Sequence, residues 1–290
     1  MAGCKTIIVP VSDAETGAAA LDLSFLLGRD YACHITALHV RADPTNAVPL
    51  VGEGMSGVMV EELITAAEKQ AIERAQAARR LFDQHCATAG VVLVQSPPAP
   101  RDQLSAAWRE ELGREEEVVA KCARMADLVV MGRLLPDREL PSIMTLNAAL
   151  MESGRPLMLA PPTPPSHIGR TVAIAWNGSA EAARAVQAAM PFLHKAERIT
   201  ILSAREENAD PALVAGEVAT YLGWHGITAD CHSFAGAGNA GEALLNEAQR
   251  MGADLLVMGA YTHSRLRQLI LGGVTRHVIH HADIPVLMSH

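Results

Sequence analysis

Short runs of branched apolar residues alternate along this chain with longer stretches whose apolar positions recur every three or four residues. The runs are Lys5–Val11, Ile35–Val40, Val91–Gln95, Ala126–Gly132 and Pro156–Leu159, then Arg170–Trp176, Ile199–Ala204, Ile227–Phe234, Ala253–Gly259 and Pro285–Met288. Each is rich in Val, Ile or Leu and bounded by turn residues, a pattern that predicts strands buried on both faces of a parallel sheet. The periodic stretches predict helices over Ala14–Gly28, Met59–Cys86, Glu115–Arg124, Ser179–Leu193 and Ala240–Met251, with another opening at Gly272 and Gly273. Strands and helices in this alternation predict an α/β fold: in each half, a doubly wound five-stranded parallel sheet with helices on both faces and right-handed crossovers.

The two halves repeat each other. Ala126-Asp-Leu-Val-Val-Met-Gly132 returns as Ala253-Asp-Leu-Leu-Val-Met-Gly259, identical at six of seven positions. Ile35–Val40 resembles Ile199–Ala204, Lys5–Ser12 resembles Arg170–Asn177, and Pro156–Leu159 resembles Pro285–Met288, all in the same order. A period this long indicates duplicated domains, not stacked solenoid units. The four prolines of Ala160–Gly169 mark the joint, because proline continues neither a helix nor a central strand. The expected division is a first domain over residues 1–160, a linker over 161–169 and a second domain over 170–290. The first half is the longer, and its extra residues are expected in loops at Arg41–Val58 and Ser96–Arg114 and in a longer second helix.

Composition and charge narrow the function. Of 290 residues, 49% are hydrophobic but only 3% aromatic, so the cores are aliphatic. The net charge of −8, with no basic stripe, argues against nucleic acid as a partner. No apolar run reaches the length of a membrane span and no signal peptide is read at the N-terminus, so a cytoplasmic protein is expected. Five cysteines, an odd number without a C-x-x-C pair, fit reduced thiols.

In an open α/β sheet, ligands bind beyond the carboxyl ends of the strands where strand order reverses. The loops after the first and fourth strands of each half flank that point. In the second half, Gly259 lets the chain turn sharply off the strand. Gly272 and Gly273 then open a helix whose first amides favour an anion such as phosphate.

Here the sequence resembles the universal stress proteins, which carry G-x2-G-x9-G-S/T at this place. The chain keeps the spacing as Gly259-x2-Thr262-x9-Gly272-Gly273, with Thr262 for the second glycine and Gly273 for the hydroxyl residue. Asn177 stands where the family ends its first strand with an acid, and Asn239–Glu242 resembles the opening of the family's third helix. The resemblance implies a tandem universal stress protein of adenine nucleotide alpha hydrolase-like fold, stress-associated, with an ATP-type nucleotide bound in the second domain only. It implies phosphate contacts from Gly259, Thr262, Gly272, Gly273 and Val274, with Asn177 and Ala204 near the base and Met258, His263 and Arg265 at the same loop. It also implies that Pro156–Leu159 and Pro285–Met288 pair the two halves within the chain, and it admits a further homodimer. In the first half only Gly132 survives of the motif, Pro136 and Pro141 interrupt the loop, and Asp13 comes one position late, so no nucleotide is expected there.

Other signals are weaker. Gly52, Gly54 and Gly57 form a G-x-G-x-x-G far from any strand, and Gly236, Gly238 and Gly241 form one beside a strand expected at the sheet edge. His277 and His281 share a helix face without the acid of an H-E-x-x-H pattern and are read as surface, so no metal site is assigned. No catalytic residue is assigned either: no G-x-S-x-G elbow, Walker A motif or nucleophile with a base is present. Two other readings stay open, a non-nucleotide interaction or regulatory protein on the same fold and a weak ATPase or flavoprotein-like enzyme.

Overall fold

The computed structural model describes residues 4–43, 57–97, 103–135, 142–205, 211–235, 239–261 and 273–290. It divides into two compact units. The N-terminal unit holds Lys5–Gly132 and a helix that ends before Gly154; the C-terminal unit holds Gly154–His290.

In the N-terminal unit, β1 (Thr6–Pro10), α1 (Ala14–Tyr31), β2 (His34–Arg41), α2 (Gly57–Ala89), β3 (Val92–Leu93), β4 (Ser105–Leu112), α3 (Glu115–Ala123), β5 (Leu128–Gly132) and α4 (Ile143–Glu152) follow in order. The strand order is β3-β4-β2-β1-β5, with every pair parallel. Ile7, Val9, Ile35 and Val129 fill the sheet, and α1 buries Leu21, Leu23 and Leu27. The α1–β5 approach is close enough that a Cβ on Gly132 would stand 2.5 Å from the Thr16 carbonyl oxygen.

The third strand corrects the sequence reading. Val91–Gln95 supplies only the two-residue β3 at the sheet edge, where Val92 and Leu93 are about half exposed. The strand that pairs with β2 along its whole length is β4, inside the segment read as a loop insertion. Its first residues, Ser105, Ala106 and Ala107, are buried but too small to register as an apolar run. Its second half carries an exposed Arg109–Glu111 pair at 2.7 Å and Glu110 facing Arg41 at 3.7 Å, so charge masks its strand character.

The C-terminal unit runs β6 (Leu157–Ala160), β7 (Thr171–Ala175), α5 (Ala180–Leu193), β8 (Arg198–Arg205), α6 (Pro211–Trp224), β9 (Asp230–Ala235), α7 (Ala240–Arg250), β10 (Leu255–Gly259), α8 (Gly273–His281) and β11 (Val286–Ser289). Its order is β6-β11-β10-β7-β8-β9. The last five strands are parallel, whereas β6 pairs antiparallel with β11, Leu157 opposite Met288 and Leu159 opposite Val286. β1 therefore lies between β2 and β5, and β7 between β8 and β10, which creates the strand-order reversal in each unit. No helix among the described residues is long and apolar enough to cross a membrane.

The repeated Ala-Asp dipeptide has a structural role in each unit. Asp127, just before β5, accepts hydrogen bonds from the backbone amides of Lys5 and Thr6, both at 2.9 Å, and from the Thr6 hydroxyl. Asp254, just before β10, accepts from the amides of Gly169, Arg170 and Thr171 at 2.9, 3.1 and 3.1 Å. The Asp127 carboxylate clasps the start of β1 to that of β5, and the Asp254 carboxylate clasps the start of β7 to that of β10.

Candidate functional site

The site of interest lies where β7, β8 and β10 end. Met258 of β10 stands opposite Ala175 of β7, and Ala175 stands opposite Leu202 of β8. Asn177, Ala204 and Gly259 consequently follow at the carboxyl ends of three adjacent strands. Met258 itself is buried in the sheet, Ala204 is half-buried and Asn177 is exposed.

The turn from β7 into α5 is built for its task. Asn177 Oδ1 accepts from the Ser179 amide at 3.2 Å, Gly178 takes φ +74°, and Ser179 Oγ caps α5 by accepting from the Ala182 amide at 3.1 Å. Ser and Asn suit this place because their short side chains satisfy amides that a helix start leaves without partners. Gly259 packs directly on the capped turn: a Cβ there would lie 2.4 Å from the Ala182 nitrogen and 2.7 Å from the Glu181 carbonyl carbon. Its role is close approach, not backbone freedom.

After Gly259 the chain reaches Tyr261, which adopts φ +64°, in the left-handed region that costs a non-glycine residue about 1–3 kcal/mol. Its ring is buried, burial raises its phenol above the usual range, and its amide makes a long 3.5 Å contact with Thr275 Oγ1. That contact brings the first turn of α8 beside the end of β10. α8 opens on Gly273, which is exposed with open space where a Cβ would stand, followed by half-buried Val274. Thr262, His263, Arg265 and Gly272 lie outside the described residues, as do Pro136, Pro141 and the glycines at 52, 54, 236 and 238. The structure thus brings Asn177, Ala204, Met258, Gly259, Gly273 and Val274 into one neighbourhood. Sequence reasoning missed Tyr261 and Thr275, because nothing in a sequence marks a tyrosine as left-handed.

The N-terminal unit uses the same positions differently. Asp13 accepts from the Thr16 amide at 3.0 Å and from the Thr16 hydroxyl, so it serves as the cap of α1. Ser12 donates to Glu115, the first residue of α3, whose carboxyl is pushed above its ordinary range by burial, against the lowering effect of Ser12, with Glu116 and Asp13 adding repulsion. At the start of α4, Ser142 Oγ already accepts from the Thr145 amide at 3.0 Å. Carboxylates gather around the end of β1, and one of the amides at the α4 opening is taken by a side chain.

Glu115→Gln is expected to stabilise the N-terminal unit at neutral pH. A carboxyl whose folded pKa is raised destabilises the fold once pH exceeds its unfolded value, and Gln carries no such cost. The gain, read from urea midpoints across pH, should shrink as pH falls through the raised folded value and vanish below the ordinary carboxylate range, where Glu115 is protonated in both states. A gain that stays constant down to that range would mean that burial of the charge is not its source.

Comparison with known proteins follows this geometry. Residues 169–290 match the model of the Universal stress protein family. A universal stress protein from Synechocystis sp. is 32% identical over 123 residues, which are 40% of this chain and 41% of that protein. The matched stretch is therefore less than half of that relative's length. Among solved structures, a universal stress protein from Archaeoglobus fulgidus DSM 4304 superimposes over 98% of this chain and 97% of its own, with a TM-score of 0.69 at 17% identity. A functionally unknown protein from Pseudomonas aeruginosa PAO1 covers 99% of this chain and 92% of its own, with a TM-score of 0.57 at 15% identity. At these identities the structures speak for the fold: α/β, with a mostly parallel sheet flanked by helices. The clasped first strand, the reversal at β7 and β10 and the glycine-opened last helix all fall within the matched residues, and the chain carries, over residues 169–290, a universal stress protein domain.

Proposed function

We propose that this chain is a tandem universal stress protein, cytoplasmic and stress-associated, whose C-terminal domain binds an adenine nucleotide of ATP type and whose N-terminal domain binds none. The observation that carries the reading is the opening of α8 on exposed Gly273, with free space around it, beside the end of β10. Amides at a helix start together with the helix dipole favour phosphate. In this reading Gly273 and Val274 offer amides to the phosphates, with Thr262, His263, Arg265 and Gly272 completing the loop. Asn177 and Ala204 border the base, and Gly259 and Met258 form the floor. The contrast with the N-terminal unit supports the asymmetry, since Glu115, Glu116 and Asp13 would repel a phosphate there. The antiparallel pairing of β6 with β11 supports the reading that the family's last-strand pairing is made within the chain.

Equilibrium binding of ATP tests the proposal. The wild-type chain should bind about one ATP, and Gly273→Asp should abolish binding without unfolding, because its side chain enters open space and an acid suits a helix start. No saturable binding by the wild type at millimolar ATP, or unchanged affinity in Gly273→Asp, overturns it.

A further inference from the structure

α6 turns two sides to very different surroundings. Ala215, Val218 and Leu222, spaced three and four apart, are buried where the helix lies on β8 and β9. Glu217, Tyr221 and Trp224, spaced four and three apart, share a second side and neighbour one another along it. Glu217 is exposed, Trp224 is 86% exposed and Tyr221 40%. Glu217 is also the one charged residue between Pro211 and Trp224, and a helix of such apolar composition is ordinarily covered.

The outward side is organised. The Tyr221 hydroxyl donates to Gln187 Oε1 of α5 at 2.9 Å, and the His225 ring stands edge-on to the Tyr221 ring with centroids 4.8 Å apart. The tyrosine ring is thereby held from two directions. Trp224 makes no ring contact and Glu217 no ion pair among the described residues. On the neighbouring helices an acid meets an arginine three residues on: Glu181 meets Arg184 in α5 at 2.8 Å, and Glu247 meets Arg250 in α7 at 2.9 Å. Three and four residues on from Glu217 stand Thr220 and Tyr221 instead.

We propose that Glu217, Tyr221 and Trp224 form a docking face for an arginine-bearing segment of a partner protein. The guanidinium suits this set: its plane stacks on an indole or phenol ring while its N–H groups donate to a carboxylate one turn away. A lysine would bring the charge without the planar stack. Charge complementarity points the same way, since α6 carries a single carboxylate and no cation, on a chain of net charge −8. Exposed aromatic side chains are also the anchors on which interface energy concentrates. The sequence shows the spacing of these residues; their exposure, the tethered tyrosine ring and the unpaired carboxylate are what the structure adds.

Titration of the full chain with a blocked peptide of alternating arginine and glycine, in the absence of nucleotide, tests this independently of ATP binding. Calorimetry reads the affinity, and the indole N–H signals of the three tryptophans read the place. The Trp224 signal, identified by its loss in Trp224→Phe, should shift to saturation. The signals of Trp108, stacked on His39, and of Trp176, whose Nε1 is buried, should stay in place. Affinity should fall about fivefold or more in Trp224→Ala and in Glu217→Gln. It should hold in Glu68→Gln, which removes an exposed acid from α2, and the corresponding lysine peptide should bind more weakly. No saturable binding, a Trp224 signal that stays in place, or equal affinity in wild type, Trp224→Ala and Glu217→Gln overturns the proposal. So does self-association of the wild type that Trp224→Ala abolishes, which would make a second copy of the chain the occupant. A circular dichroism spectrum unchanged in each variant separates lost docking from lost fold.

Discussion

Asp254→Ala is expected to destabilise the C-terminal unit by about 2–4 kcal/mol, because it strands three backbone amides of residues 169–171 that all donate to one carboxylate. A hydrogen bond to a charged acceptor is worth more than a neutral one, and removing the acceptor alone leaves its donors to be resolvated. Water will reach some of them, which caps the loss below the sum of three such bonds. Asn at this position keeps one acceptor oxygen and should lose less. The damage should stay local: hydrogen exchange at β7 and β10 should quicken while β1 and β5 keep their protection, and Asp127→Ala should give the mirror result. Urea unfolding monitored by far-ultraviolet circular dichroism, fitted with a separate transition for each unit, measures the cost. A loss below 1 kcal/mol would show that the clasp is ornamental and that the strand start is held by its ladder alone.

The second large effect is expected at Gly259. A single methyl there meets the Ala182 nitrogen at 2.4 Å and the Glu181 carbonyl carbon at 2.7 Å, both main-chain atoms that no rotamer change can move aside. Overpacking of this kind costs about 1–3 kcal/mol, and the rigid neighbours place Gly259→Ala at the upper end. The displaced amide is the one that Ser179 caps, so the α5 start and the Asn177 turn shift with it. Under the proposed nucleotide-binding role, ATP affinity should fall as well. Gly273→Ala is the matched control, since its Cβ would meet nothing within 4 Å. Thermal unfolding of both variants decides the matter, and equal midpoints would refute the steric account.

What could be read ahead of the structure, and what could not, follows from how much each residue's surroundings depend on its neighbours in sequence. β1, β2, β5, β7, β8 and β10 were legible because a strand covered on both faces must be apolar at nearly every position. Ser179 and Asn239 announced helix starts because capping is a local transaction between a side chain and an amide three residues on. β4 was not legible: Ala106 and Ala107 are buried by their neighbours' bulk, whereas the more apolar Val92 and Leu93 end half exposed on the edge. The candidate site was partly legible, since the glycine spacing survives in altered form. The positive φ of Tyr261 and the Ser12–Glu115 pair were not, because both depend on what packs from distant parts of the chain.

The proline-rich segment invites a division of the chain at the prolines, yet the sheet places the joint before it. β6 precedes that segment in the chain but hydrogen-bonds along β11, whose Val286, Leu287 and Met288 are wholly buried. A fragment begun at the prolines would leave a flat apolar edge strand bare, the kind of surface on which chains stack into aggregates. The domain boundary drawn by family matching and the boundary at which the chain can be cut are thus different places. A fragment that respected only the former would be complete in its motifs yet lack the strand that covers β11, whereas one begun at Gly154 would keep it.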